Sequence, residues 1–112
     1  MQRGRTNKVR NGMSASLEGR VALVTGGGRG IGRGISLALA EAGADIAIVY
    51  RRDEEAAKST VEEIKRLKRK GAMFNADVTN FDDVKKAVEE TIKTFGKIDI
   101  LVNNAGIASR GN

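Results

Sequence analysis

The residues that decide the fold of this chain run from position 25 to position 32 and read Thr25-Gly26-Gly27-Gly28-Arg29-Gly30-Ile31-Gly32. Six of the 14 glycines fall between positions 26 and 34. A continuous apolar run, Val21 to Val24, precedes this stretch, and apolar residues at helical spacing follow it. Such a run predicts a strand buried on both faces, and the spacing predicts a helix. The stretch is therefore predicted to be a tight turn between a buried strand and a helix.

The spacing of the glycines distinguishes between kinds of phosphate-binding turn. A Walker A loop requires Lys and then Ser or Thr after its last glycine, but Arg33 follows Gly32, so a nucleoside-triphosphate hydrolase is disfavoured. The G-x-G-x-x-G/A spacing also fails, because the sixth position from Gly28 is Arg33. The pattern that fits is Thr-Gly-x-x-x-Gly-x-Gly, through Gly26, Gly30 and Gly32.

Each glycine of this pattern has its own expected role. Gly26 permits a turn that ordinary residues resist, and Gly30 lets the backbone approach a pyrophosphate. Gly32 lets the helix pack close to the sheet, and the helix N-terminus adds N–H groups and a positive dipole end. A plain flexible loop is the alternative interpretation. The buried strand and the amphipathic helix on either side favour the phosphate-binding turn.

Strands and helices alternate along the rest of the chain. The predicted strands are 21–24, 46–50, 72–76 and 98–102. The predicted helices have apolar stripes, formed by Ile31, Ile35, Ala38, Leu39 and Ala42, by Ala57, Val61, Ile64 and Leu67, and by Val84, Ala87, Val88, Ile92 and Phe95. Thr79 or Asn80 is the expected N-cap of the third helix. The order β-α-β-α-β-α-β predicts a doubly wound parallel α/β sheet.

Composition excludes several kinds of chemistry. The 112 residues allow one domain and include no His, Cys, Pro or Trp, so a Ser-His-Asp triad, the usual zinc sites and a thiol nucleophile are excluded. Most of the net charge of +6 comes from the first 12 residues. Residues 1–16 are therefore interpreted as a basic flexible extension, and nucleic-acid binding is disfavoured. No apolar run approaches the ~20 residues of a membrane span, so the protein is expected to be soluble and cytoplasmic.

Three motifs occur in order along the chain, namely Thr25-Gly26-x-x-x-Gly30-x-Gly32, Asp77-Val78-Thr79 and Asn103-Asn104-Ala105-Gly106. With these motifs the chain resembles the short-chain dehydrogenases/reductases, of the type of the 3-oxoacyl-carrier-protein reductases. The resemblance implies a Rossmann-type fold, of which residues 17–112 form the N-terminal half, with four strands and three helices. It also implies hydride transfer between a nicotinamide cofactor and a small carbonyl or alcohol substrate, by a full-length form that is a homo-oligomer.

The charge at the end of the second strand predicts which nicotinamide cofactor is bound. A fold that binds NAD usually places an acid there for the ribose 2′-OH, whereas Arg51 and Arg52 follow Tyr50 here. Guanidinium groups bind phosphate in a bidentate fork, and Arg29 supplies a second cation. In the family, basic residues at these two places are associated with NADP. NADP is therefore predicted over NAD, with a merely solubilising role for Arg51 and Arg52 as the alternative.

The resemblance also implies roles for the second and third motifs. Asp77 would accept a hydrogen bond from the adenine amino group, with the Val78 backbone beside the ring, although Asp77 could instead cap the turn before Asn80. Asn104 and the two residues after it would lie along the cofactor ribose, and Asn103 would tie neighbouring strands. The predicted cofactor-binding residues are Gly26, Gly28, Arg29, Gly30, Ile31, Gly32, Tyr50, Arg51, Asp77, Val78, Asn104, Ala105 and Gly106.

No residue of the chain is assigned to catalysis, and no metal site is predicted. The family transfers its proton with a Ser, an Asn and a Tyr-x-x-x-Lys pair that follow the third motif, the Lys lowering the Tyr pKa. Glu54 stands four residues after Tyr50, the single tyrosine, and Ser109 and Asn112 are too close to the third motif. The chain is interpreted as the inactive cofactor-binding part of an oxidoreductase. The alternative is a non-catalytic dinucleotide-binding module or a fragment completed by a partner.

Overall fold

A computed structural model describes residues 16–104. Four strands are Val21–Thr25 (β1), Asp45–Tyr50 (β2), Gly71–Asn75 (β3) and Ile100–Asn103 (β4). Three helices are Gly30–Glu41 (α1), Glu54–Arg66 (α2) and Phe81–Phe95 (α3). Strand and helix alternate as predicted. Nearly all of the predicted extension 1–16, together with residues 105 and 106 of the third motif, lies outside the described residues.

The four strands form one parallel sheet in the order β3-β2-β1-β4. The chain starts at β1, steps outward to β3, and then crosses to the other side of β1 to form β4. In the register, Val24 lies opposite Ile48 on one side and Val102 on the other. This reversal of direction is a topological switch point at the carboxyl ends of β1 and β4, the place where open α/β sheets bind ligands. The predicted doubly wound α/β fold is confirmed.

Alternate residues of the central strands pack into two clusters, one on each face of the sheet, as the period of a strand requires. The first cluster joins the strand residues Val24 and Ile48 to Ala40 of α1 and to Ile64 of α2. The second joins strand residues to Ala87 of α3. Two helices therefore cover one face and one helix covers the other. Among residues 16–104, no helix is both long and apolar enough to span a membrane.

The buried face of α1 differs from the predicted stripe. Its buried residues are Gly32, Ser36 and Ala40, whereas Ile31 is 74% exposed and Ala38 is also exposed. The cause is the short distance between the helix and the glycine-rich turn, which leaves room only for small side chains along the contact line. Larger residues of α1 flank that line and are partly buried, namely Ile35, Leu37 and Leu39. Of the predicted stripe, Ile35, Leu39 and Ala42 do pack toward the core, and Ile31 and Ala38 do not.

The other helices follow their predicted stripes more closely. The α2 stripe packs on the first cluster, but Thr60, which was not predicted, is fully buried with it. In α3, Thr91 is fully buried, and the predicted Ile92 is 46% exposed. Asn80 is the N-cap of α3, because its side chain accepts a hydrogen bond from the backbone N–H of Asp83. The fourth strand begins at Ile100, two residues later than predicted.

Candidate functional site

The glycine-rich turn joins β1 to α1 at the switch point. Its backbone is left-handed at Gly26 (φ +67°) and at Gly30 (φ +56°), conformations that residues with a side chain resist. Gly26 donates a 2.8 Å hydrogen bond from its N–H to the carbonyl of Val49 in β2. A Cβ at Gly30 would meet no atom of residues 16–104 within 4 Å. The backbone is therefore open to a close approach at Gly30.

The N-terminus of α1 lacks the capping that the other two helices have. Its N-cap residue, Arg29, makes no side-chain cap hydrogen bond, and no acid lies in its first turn. Helices α2 and α3 are capped by the side chains of Asp53 and Asn80, and acids occupy both first turns. The first N–H groups of a helix have no intrahelical partner, and its dipole is positive at that end. The start of α1 is thus chemically suited to an anion such as a phosphate.

Three consecutive carbonyls of the turn are each bound by a side chain from a different part of the chain. The Gly26 oxygen accepts from the Asn104 amide at 3.2 Å, just after β4. The Gly27 oxygen accepts from Ser36 Oγ of α1 at 3.1 Å, and the Gly28 oxygen accepts from Thr60 Oγ1 of α2 at 2.8 Å. All three donor residues are buried. Ser36 and Thr60 were not predicted. The available signal was their place among apolar residues, because Ser36 lies in the apolar helix α1 and Thr60 falls between Ala57 and Val61 of the predicted α2 stripe.

Close packing beneath the turn explains why it is made of glycine. A Cβ on Gly32 would lie 1.8 Å from the Gly26 oxygen, and a Cβ on Gly28 would lie 2.8 Å from Cα of Ala57. At Gly27 a Cβ would lie 2.7 Å from Ser36 Oγ. Side chains at these positions would push the turn away from α1 and α2. The turn, the start of α1 and the sheet edge therefore form a cradle of bare backbone that fits a pyrophosphate.

An open cleft of ≈ 150 Å³ lies beside the turn, lined by Gly26, Val49, Arg51, Ala76, Asp77, Val78 and Thr79. Four of these are predicted cofactor-binding residues that come from three separate parts of the chain. The wall combines apolar side chains with a carboxylate and a guanidinium. That composition suits a flat aromatic ring with polar groups on its edge. Tyr50, also predicted, packs instead against the first cluster.

The Asp77 carboxylate takes part in a local turn. Its Oδ1 accepts hydrogen bonds from Thr79 Oγ1 at 2.6 Å and from the Thr79 N–H at 2.9 Å. These bonds, aided by the charges of Arg51 and Arg52, hold the pKa of Asp77 below its ordinary value of 3.8. Asp77 is therefore ionised at neutral pH and can act only as a hydrogen-bond acceptor. The turn-capping contact that was the alternative for Asp77 is present, and the residue lines the cleft as well.

Both predicted phosphate-binding arginines lie beside carboxylates. Arg29 Nη1 is 3.5 Å from Asp53 Oδ2, and Arg51 Nη2 is 3.4 Å from Asp77 Oδ2. The side chains of the two arginines are 76% and 57% exposed. Exposed pairs of this kind contribute only about 0–1 kcal/mol, so a phosphate could replace the carboxylate at either guanidinium.

The two asparagines of the third motif have different surroundings. Asn104 is 6% exposed, and its side-chain amide donates a hydrogen bond to the Gly26 carbonyl. Asn103 is exposed, and its Oδ1 accepts from Thr25 Oγ1 at 3.3 Å. Both side chains thus tie the end of β4 to the end of β1.

A parallel doubly wound sheet with a glycine-rich turn and an uncapped helix at its switch point is the architecture of the Rossmann-type fold. Comparison with known families agrees with this class. The family model for short chain dehydrogenases matches residues 20–112. The chain therefore belongs to the short-chain dehydrogenase family.

The alignments with individual relatives include most of this chain but only part of each relative. Hydroxynaphthalene reductase arp2 of Aspergillus fumigatus is 44% identical over 91 residues, which are 81% of this chain and 33% of that protein. Tetrahydroxynaphthalene reductase of Pyricularia oryzae is 42% identical over 99 residues, 88% of this chain and 35% of that protein. The chain spans about a third of the length of these curated relatives.

Comparison with a solved structure shows the same fold and the same partial coverage. A short chain dehydrogenase from Burkholderia cenocepacia, in complex with NADP, superimposes with a TM-score of 0.76 and 45% sequence identity. The superposition covers 78% of this chain and 36% of that protein. The family and the Rossmann-type fold predicted from the sequence are both confirmed.

Proposed function

We propose that this chain binds NADP(H) and forms the cofactor-binding part of an oxidoreductase that interconverts carbonyl and alcohol groups. The observation that carries the proposal is the uncapped, acid-free start of α1, which lies at the switch point with Arg29 as its N-cap residue. No such anion site exists at the starts of α2 and α3, which are capped. The NADP complex of the Burkholderia relative supports the choice of cofactor.

The predicted binding residues would contact the cofactor at four places. The backbone N–H groups of Gly30, Ile31 and Gly32 would bind the pyrophosphate. Arg29 and Arg51 would bind the 2′-phosphate through their guanidinium groups. The cleft lined by Asp77 and Val78 would take the adenine. The backbone from Asn104 to Gly106 would lie along the ribose, as the family resemblance implies.

The nicotinamide supplies the hydride when it is bound, and this chain's own residues bind and orient the cofactor. We infer that the proton is transferred by a Tyr-x-x-x-Lys pair outside these 112 residues, since the sequence contains none. The short coverage of the relatives supports this inference. The chain alone is then inactive. The missing pair equally favours a second candidate, a non-catalytic dinucleotide-binding module, and reduction of a carbonyl substrate by a protein carrying this chain would rule that candidate out.

Calorimetric titration with NADPH and NADH tests the proposal. We expect tighter binding of NADPH, and about a tenfold loss of that preference in Arg29→Ala and in Arg51→Ala, because each removes a charged hydrogen bond to phosphate. Arg66→Ala is the matched control, since Arg66 is an exposed arginine of α2 that pairs with Glu63. Equal affinities for NADPH and NADH would contradict the choice of NADP. Binding of neither would contradict the site itself.

A further inference from the structure

We propose that Thr60 is a positioning residue that gives this site its preference for a 2′-phosphate, an inference that rests on the proposed binding of NADP(H). Thr60 lies in α2 and is fully buried. Its hydroxyl donates to the carbonyl of Gly28, which is 32 positions away in the sequence and 2.8 Å away in space. The same oxygen accepts a 2.9 Å hydrogen bond from Nη1 of Arg33 in α1. Thr60 therefore joins both helices to the turn.

The hydroxyl of Thr60 has one proton and a choice of two acceptors. The carbonyl of Ala56, one helical turn earlier, lies at 3.0 Å, and the carbonyl of Gly28 is closer at 2.8 Å. A guanidinium can only donate, so Arg33 binds a lone pair of the oxygen and leaves its proton for a carbonyl. This arrangement favours the bond that crosses from α2 to the turn.

The Gly28 carbonyl controls the residue that follows it. The described residues contain no cis peptide bond, and in a trans peptide the C=O of one residue and the N–H of the next point in opposite directions. Binding of the Gly28 oxygen to Thr60 therefore directs the Arg29 N–H away from α2 and fixes the peptide from which Arg29 projects. The Asn104 and Ser36 contacts orient the two preceding peptides, and within residues 16–104 the side chain that binds the Gly28 carbonyl is that of Thr60.

Helix α2 then positions Arg29 at two points. Thr60 holds the peptide before it, and Asp53, the N-cap of the same helix, lies 3.5 Å from its guanidinium until a phosphate replaces that carboxylate. The side chain of Arg29 is 76% exposed, so few other contacts restrain it. Loss of the Thr60 hydroxyl would let the peptide between Gly28 and Arg29 rotate. The Arg29 guanidinium would then occupy a wider range of positions. The pyrophosphate donors of α1 begin after Arg29 and would be affected less.

The test compares NADPH and NADH affinities, by calorimetry, in Thr60→Val, Thr60→Ser and a control. Thr60→Val removes the bond to the Gly28 carbonyl together with the bond from Arg33. We expect it to lose about tenfold of the NADPH preference, about 1.4 kcal/mol. Thr60→Ser keeps the hydroxyl and should stay within about twofold of the parent. Thr91→Val is the control, because Thr91 is also fully buried and bonds only the carbonyl four residues earlier, at 2.8 Å. It should leave the preference unchanged.

The outcomes separate this inference from the proposed function. If the parent protein binds NADPH and NADH equally, the NADP proposal fails. If the parent prefers NADPH and Thr60→Val keeps that preference, or weakens both cofactors by the same factor, the role of Thr60 is overturned. Should Thr60→Val not fold, Thr60→Cys replaces it, since a thiol is a weak donor of similar size. Its loss of preference would support the role, and its retention would refute it.

Discussion

Asp99 and Val21 exchange two hydrogen bonds where β1 and β4 begin to pair. The Asp99 N–H donates to the Val21 carbonyl at 2.8 Å, and the Val21 N–H donates to Asp99 Oδ2 at 2.8 Å. The ladder proper starts one residue later, with Ile100 opposite Ala22. The Asp99 carboxylate therefore accepts the hydrogen bond that a strand carbonyl would otherwise accept at the start of the β1–β4 pairing. For this reason β4 starts later than its apolar pattern predicts.

The Asp99 contact predicts an acid-sensitive step in stability. The hydrogen bond from Val21, with Lys97 adding to it, lowers the pKa of Asp99 below its ordinary value of 3.8. A lowered folded-state pKa stabilises the fold above the unfolded-state value, and this contribution is lost as pH falls through the folded-state pKa. We expect Asp99→Asn to be less stable than the parent at neutral pH and to lose less stability on acidification below 3.8. Thermal unfolding over a pH series measures both.

Glu41→Gln is the control for this experiment, since it removes an exposed carboxylate of α1. Its pH profile should follow that of the parent protein. An Asp99→Asn profile parallel to the parent across the acid range would show that Asp99 contributes no such step.

The end of α2 predicts a stabilising substitution. Lys68 has φ +66° in a helix-ending motif in which its N–H and that of Arg69 bond back to Lys65 and Ile64. Glycine normally fills that position, because a side chain there costs about 1–2 kcal/mol. Lys68→Gly should raise the free energy of unfolding by about 0.5–1 kcal/mol, after the greater entropy of unfolded glycine is subtracted. Urea unfolding gives the value.

Gly96, at the end of α3, allows the reverse substitution, glycine to alanine, at a positive φ. It has φ +90°, and a Cβ there would meet no atom of the described residues within 4 Å. Gly96→Ala should therefore lower stability by about 1 kcal/mol through backbone strain alone. A shift of the same sign in Gly96→Ala and Lys68→Gly would disprove the explanation.

Two glycines of α1 should respond in opposite ways to alanine. A Cβ on Gly32 would lie 1.8 Å from the Gly26 oxygen, whereas one on Gly34 would meet nothing within 4 Å among residues 16–104. Gly32→Ala should cost about 2–3 kcal/mol and abolish NADPH binding, because the turn must move. Gly34→Ala should stabilise the helix by about 0.5–1 kcal/mol and leave binding intact. Unfolding experiments and titration with NADPH measure both effects in the two variants. Similar stability and binding in Gly32→Ala and Gly34→Ala would contradict the prediction.

Asn103 and Asn104 allow the same substitution, Asn to Asp, to be compared at an exposed and at a buried position. Asn104→Asp replaces the donor to the Gly26 carbonyl with an oxygen at a buried position, which should cost about 1–3 kcal/mol. Asn103→Asp keeps the acceptor for Thr25 Oγ1 on the exposed surface and should change stability by about 0.5 kcal/mol or less. Chemical denaturation at neutral pH measures the two values, and similar costs would contradict the structural difference.

Sequence patterns predicted the positions of helices and strands more accurately than the residues that each of them buries. The Val21–Val24 run and the α2 stripe were predicted correctly, since the local spacing of apolar residues reflects burial directly. The α1 stripe was only partly correct: Ile35, Leu39 and Ala42 pack toward the core, but Ile31 and Ala38 are exposed. The buried contact line of α1 is formed instead by the small residues Gly32, Ser36 and Ala40. The burial of Thr91 instead of Ile92 has a different cause, since a hydroxyl bonded within its own helix can be buried at little cost.

The alternation of strands and helices, the glycine-rich turn and the family could all be predicted from the sequence, because they follow from local spacing and backbone freedom. The contacts that hold the turn could not be predicted in this way. Its three carbonyls are bound by Asn104, Ser36 and Thr60, which come from different elements of the chain. The tertiary structure also decided that Arg29 and Arg51 lie beside Asp53 and Asp77. Hydrogen bonds and charges depend on distance in space, and that distance exists only once the sheet and its helices have packed.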